Sequence, residues 1–191
     1  MKRSRVASAL GVALLGAAVL SGPVQATDQR WQGVWRDDFD GGLGDWIVDT
    51  GTGYVGGPAS WGTGEVQTYR SDAVALDGRG HLVITPRVDG GGWTSGRVET
   101  RRADFAAPEG GVLRVEGRMR MPDVGGDSAL GYWPAFWGLG GAFRGDYWNW
   151  PQVGEVDIAE SVNGLDRVWG VLHCGSCGEP AGVGSAVECG C

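Results

Sequence analysis

The sequence predicts an all-β fold, a sandwich of two antiparallel sheets, and three observations carry that expectation. Of 191 residues 37 are glycine, turn chemistry enough for many short strands. Between Val112 and Met121, Leu113, Val115, Met119 and Met121 alternate with Arg114, Glu116, Arg118 and Arg120, the period of a half-buried strand in an antiparallel sheet. No segment carries a strong helical period. Ten tryptophans and 42% hydrophobic residues argue against a disordered chain. A sandwich is preferred over a barrel because it leaves one sheet face free to curve around a long polymer.

The chain opens with an export signal. Lys2, Arg3 and Arg5 precede the apolar run Val6–Leu20, and Ser-Gly-Pro-Val-Gln-Ala follows, with cleavage expected after Ala26. That run is shorter than the roughly 20 residues a spanning helix needs, and Pro23 follows it, so a membrane anchor is the poorer reading. Residues 27–191 are then expected to form one secreted, monomeric domain with no membrane partner. The formal charge is −7, and no acid precedes Asp28, so removal of the basic leader leaves a still more acidic protein. Nucleic acid is excluded as a partner on that ground, since phosphate binding needs a basic surface.

Further strands are expected at Glu65–Tyr69, His81–Pro86, Arg97–Arg101, Trp133–Leu139, Val153–Val162 and Val168–His173, with turns at Asp77-Gly78-Arg79-Gly80 and Asp89-Gly90-Gly91-Gly92. Cys174, Cys177, Cys189 and Cys191 crowd the end of the chain. In an exported protein they read as disulfides, with three pairings open; a zinc knuckle is the lesser reading, because Cys-x-Cys lacks the usual ligand spacing.

The segment Gly154-Glu155-Val156-Asp157-Ile158-Ala159-Glu160 is the most informative. As a strand it turns Glu155 and Asp157 to one face and Val156 and Ile158 to the other. Strict alternation would then bury Glu160, at a cost of several kcal/mol, so a one-residue bulge near Ala159 is expected, returning Glu160 to the face of the other acids. Three carboxyl groups in one row suit hydrolysis of a glycosidic bond with retention, which needs a carboxylate nucleophile and a proton-donating carboxyl group close by. A solvated acidic edge or a calcium site would use the same residues. Nearby stand Trp133, Trp137, Trp148 and Trp150, whose indole faces match the apolar faces of sugar rings; core packing is the plainer role for each.

Together these motifs resemble glycoside hydrolase family 16, and within it the bacterial laminarinase-like endo-β-1,3-glucanases. Glu155, Asp157 and Glu160 match its Glu-x-Asp-x-x-Glu signature. Trp133-Pro134-Ala135-Phe136-Trp137, Gly64-Glu65-Val66-Gln67-Thr68-Tyr69, His81-Leu82-Val83-Ile84-Thr85 and Thr94-Ser95-Gly96-Arg97 look like further family blocks, in the family's order. The resemblance implies a concanavalin-like jelly roll that cleaves internal β-glucosidic bonds with retention. It implies Glu155 as nucleophile, Glu160 as acid/base and Asp157 as supporting carboxylate. Trp133 and Trp137 would be glucose-stacking surfaces, with Trp150 also against substrate, and Arg97 and His173 would contact the sugar; a hydrogen-bonded strand-end histidine is an equal reading of His173. No cofactor or catalytic metal is implied, and no loop specifies the structural calcium some members carry. Ser71-Asp72-Ala73-Val74 stands where relatives often carry Asn. Family domains continue past the His173 strand with several more strands, so the sandwich is expected to be incomplete at its C-terminal side, with sheet edges and apolar faces uncovered. The alternatives are a non-catalytic glucan-binding module on the same fold, or a hydrolase of mixed-linkage β-glucan or algal galactan.

Overall fold

A computed structural model describes residues 31–178 and 182–188. The export signal, Cys189 and Cys191 lie outside the described residues. The chain divides into two units at Arg36 and Asp37. Residues 31–36 of the first form neither helix nor strand, and everything below belongs to the second.

Among the described residues there is no α-helix, only strands and short 3-10 turns. The strands are β1 (Trp46–Asp49), β2 (Thr68–Tyr69), β3 (Val74–Leu76), β4 (Leu82–Ile84), β5 (Arg87–Asp89), β6 (Gly92–Ser95), β7 (Arg97–Thr100), β8 (Ala135–Leu139), β9 (Glu155–Glu160), β10 (Val168–His173) and β11 (Val183–Val187). They join as β1-β7, β11-β10-β9-β8, β2-β6-β5 and β3-β4. The expected all-β class holds, with every pairing antiparallel except the short parallel contact of β2 with β6. Both expected turns are hairpin turns: Asp77 to Gly80 joins β3 to β4, and Asp89 faces Gly92 where β5 turns into β6.

The clearest strand by pattern is corrected. Residues 112–121 form no strand, because a ladder needs a neighbour to take its backbone N–H and C=O groups and none of the described segments pairs with them. The stretch touches β8 at Gly117, while Val115 and Met119 of its apolar side stay exposed. A Cβ on Gly117 would sit 2.9 Å from the Phe136 ring, on the side of β8 away from Trp137. The expected strand at 65–69 shrinks to two residues, because only Thr68 and Tyr69 find ladder partners, in Thr94 and Ser95; the side chains of Glu65, Gln67 and Tyr69 hydrogen-bond one another, Tyr69 donating to Glu65 at 2.5 Å. β1, β3, β5, β6 and β11, none of them among the expected strands, carried too few residues or too little alternation to be read.

Ala73, Val74 and Ala129 are buried, and a Cβ on Gly96, between β6 and β7, would collide with the side chains of Val74 and Ile84. Only glycine lets the β6–β7 run lie that near the β3–β4 pair. On β9 and β10 the face opposite the acids is open: Val156 and Leu172, register partners, are 50% and 44% exposed.

Candidate active site

β9 is the middle of its sheet, with β8 and β10 on either side, so its backbone is held along both edges. Gly154 enters the strand at φ 80°, a left-handed conformation that favours glycine, and its carbonyl accepts from Gly140 at 2.9 Å. The bulge is present. Phe136 faces Ala159 and Trp137 faces Asp157, so one step on β8 spans two on β9; against β10, Trp169 faces Glu160 and Val171 faces Asp157. Ile158 is the additional residue, one position before the expected site, and it brings Glu160 onto the face of Glu155 and Asp157.

Each carboxyl group has its own partner. The Trp150 indole donates to Oε2 of Glu155 at 2.9 Å. His173, across the ladder from Glu155, puts Nε2 3.2 Å from Oδ2 of Asp157, which is only 5% exposed. The Trp133 indole donates to Oε1 of Glu160 at 2.7 Å. Burial pushes Glu155 up to about 7, helped by the charge of Asp157 and opposed by the Trp150 hydrogen bond and His173. Asp157 and Glu160 are also raised, again chiefly by burial; His173 opposes the shift of Asp157, and the Trp133 indole opposes that of Glu160. Glu155 and Asp157 hydrogen-bond each other, a contact that favours the proton on Glu155 and the charge on Asp157.

His173 therefore serves as a hydrogen-bonding partner at a strand end, and that partner is the middle acid. Its ring lies 5.5 Å from that of Trp150, and the Cys174–Cys177 disulfide follows it directly. That pairing answers part of the cysteine question and removes two thiolates from any zinc knuckle. Side-chain donors of Glu155, Asp157 and His173 all lie within 4.8 Å of one another, the set that could hold a cation.

Trp137 is the register partner of Asp157, and Arg97 lies over its ring at 4.7 Å. The Arg97 guanidinium also stacks on Trp61 at 4.6 Å, donates to the Tyr54 hydroxyl at 3.4 Å and pairs with Asp49 at 3.4 Å. Burial raises Asp49 to about 6 despite this cation. Tyr54 in turn stacks flat on Tyr147, centroids 4.1 Å apart. Thus Arg97 sits beside the acid row inside an aromatic box, its side chain 15% exposed. Asp49, Tyr54, Trp61 and Tyr147 were not singled out from the sequence; Trp61, shortly before the Gly64–Tyr69 block, was the one with a visible signal.

No protein-family model matches the chain. Among curated proteins it is 35% identical over 171 residues to a β-glucanase of Rhodothermus marinus, covering 84% of this chain and 54% of the relative. The α subunit of clotting factor G from Tachypleus tridentatus is 34% identical over 151 residues, covering 76% of this chain and 20% of that protein. Among solved structures, an endo-1,3-β-glucanase from Streptomyces sioyaensis superposes with a TM-score of 0.79 at 52% identity, covering 85% of this chain and 64% of the other. The laminarinase from Rhodothermus marinus gives 0.58 at 30% identity, covering 83% and 62%. The chain spans about half the length of the curated β-glucanase it matches. The chain thus shares the all-β jelly-roll class of these structures, with a bulged acid row between indoles. More narrowly, the chain is similar in sequence and fold to bacterial endo-1,3-β-glucanases and laminarinases.

Proposed function

We propose that the protein is a secreted, retaining endo-β-1,3-glucanase, with residues 27–191 carrying the catalytic row. The observation that carries the reading is the bulge, which sets Glu155, Asp157 and Glu160 on one face with an indole N–H on each glutamate. Glu155 attacks the anomeric carbon and Glu160 gives its proton to the departing glycosidic oxygen, leaving a glycosyl ester on Glu155. Glu160, now ionised, takes a proton from water as that water attacks the ester, and both groups return to their starting state. Burial helps the first step. A carboxylate held in a poorly solvating place is a better nucleophile, and its charge is relieved when the ester forms. Asp157, fixed by His173, hydrogen-bonds Glu155 and holds the nucleophile's orientation; attack requires that Glu155 has lost the proton that burial and the charge of Asp157 help it keep.

The test is release of reducing ends from laminarin with the β-anomer formed first. Glu155→Gln should abolish that release, and undiminished release would remove Glu155 from the nucleophile's role. Retention of insoluble β-glucan with no product formed would favour the binding module instead.

A further inference from the structure

One edge of the sheet that carries the acid row is open. β11 ends the order β11-β10-β9-β8; it pairs with β10 on one side, and no described strand pairs with the other. All five of its residues are exposed, Val183 and Val187 at 61% and 67%. Such an edge offers a row of backbone N–H and C=O groups to another strand, and proteins usually guard it with lysine, proline or a bulge. Val183-Gly184-Ser185-Ala186-Val187 has no charge and no proline, and its register with β10 runs without a break. The acid that follows, Glu188, is paired with Arg167 at 3.2 Å.

The residues of β11 specify the strand that fits it. From either end they run valine, small, serine, small, valine. Turned antiparallel on itself about Ser185, the strand sets Val183 against Val187, Gly184 against Ala186 and Ser185 against Ser185 of a second copy. Backbone groups point alternately to the two sides of a strand, so either the odd-numbered or the even-numbered residues address the open side. Each set maps onto itself under this two-fold, and each gives a regular ladder.

The two faces also match. Val183 is the partner of Leu172, itself the partner of Val156, so the valines continue the apolar face opposite the acids. Gly184 is the partner of Val171, itself the partner of Asp157, so Gly184 and Ala186 lie on the acid face. Facing residues of an antiparallel pair share a face, so apolar meets apolar and small meets small across the axis.

From this self-complementarity we infer that a second copy of the chain docks on β11, joining two four-stranded sheets into one with both acid rows on the same side. This departs from the expected monomer, and it stands on the strand edge alone, whatever the acid row cleaves. The contact is narrow, a single five-residue edge, and each copy brings a net charge of −7. The dimer is therefore a weak one, with Kd about 10 to 100 μM, and it tightens as salt screens the like charge.

The test is sedimentation equilibrium of the full chain across about 1 to 300 μM, a range that brackets that Kd. The mass rises to twice the monomer and stops there, at lower concentration in high salt. Ser185→Lys and Ser185→Glu each place a charge against its own copy at the axis and weaken the dimer at least about tenfold; an equimolar mixture of the two restores it through Lys–Glu pairing. Val183→Thr with Val187→Thr keeps β-branched residues, weakens the dimer about threefold, and gives the readout should the charged variants not fold. A mass that stays monomeric, a mass that grows past two, as β11 pairing with the free edge of β8 would produce, or a dimer indifferent to these substitutions would each overturn the inference. So would charged variants that fold but stay apart when mixed. Laminarin cleavage is assayed separately, and its absence would sink the hydrolase reading without touching the dimer.

Discussion

The two ends of the β9 acid row differ in how their glutamates are surrounded. Glu155 stands among Asp157, His173 and the Trp150 indole, and burial with like charge lifts it to about 7. Glu160, beyond the bulge, holds the single indole N–H of Trp133, itself 57% exposed. The crowded end can fix a carboxylate in one orientation and make loss of its charge favourable, as ester formation requires. The open end can exchange a proton with a leaving group and then with water. One strand thus supplies two different acids by changing neighbours, without changing residue type.

Glu155→Gln breaks the comparison most severely, with reducing-end release falling by at least the order of a thousandfold. Glu160→Ala slows poor leaving groups by about 10²- to 10⁴-fold yet activated aryl glucosides far less, a split that steady-state assays on both substrates will read. Equal slowing would count against the acid/base role. Asp157→Asn removes the charge that raises Glu155, so kcat falls about 10- to 100-fold while the acidic limb of the pH–rate profile moves to lower pH.

The same burial should be visible in stability. Glu155 holds its proton in the folded protein up to about 7, whereas in the unfolded chain it ionises near 4.5. Its contribution is therefore intact below about 4.5 and is lost as pH rises toward about 7. Glu155→Gln removes that loss, so thermal melts show the variant stabilised by about 1 to 2 kcal/mol at pH 8, after a discount for partial solvent access, and not at pH 4. The smallest effect belongs to Trp150→Phe, which keeps a ring beside His173 but deletes the donor to Glu155. The acidic limb shifts upward and kcat falls about fivefold; an unmoved limb would show that the indole N–H does not tune the nucleophile.

A second contrast explains what could be read in advance. β9 and the 112–121 stretch both alternate, and only β9 became a strand, because β8 and β10 pair with its backbone groups while no described strand pairs with the other stretch. Alternation reports a two-faced surface; pairing is a property of the neighbour. The bulge was legible because a buried unpaired glutamate would have been too costly, and its position came out within one residue. The partners were not. Nothing around Asp49 or Tyr54 signals that each would hold Arg97, since they lie more than 40 residues away along the chain and meet it only through the pairing of β1 with β7 and the loop after β1.

By itself the sequence determined the all-β class, the acid row with its kink, and the indoles flanking it, because these follow from local period, residue chemistry and the cost of burying charge. Tertiary structure alone decided which stretches found ladder partners, that His173 serves Asp157, and that Arg97 stands in a box of Tyr54, Trp61 and Trp137. Those outcomes depend on distant segments meeting, and sequence spacing carries no measure of that distance.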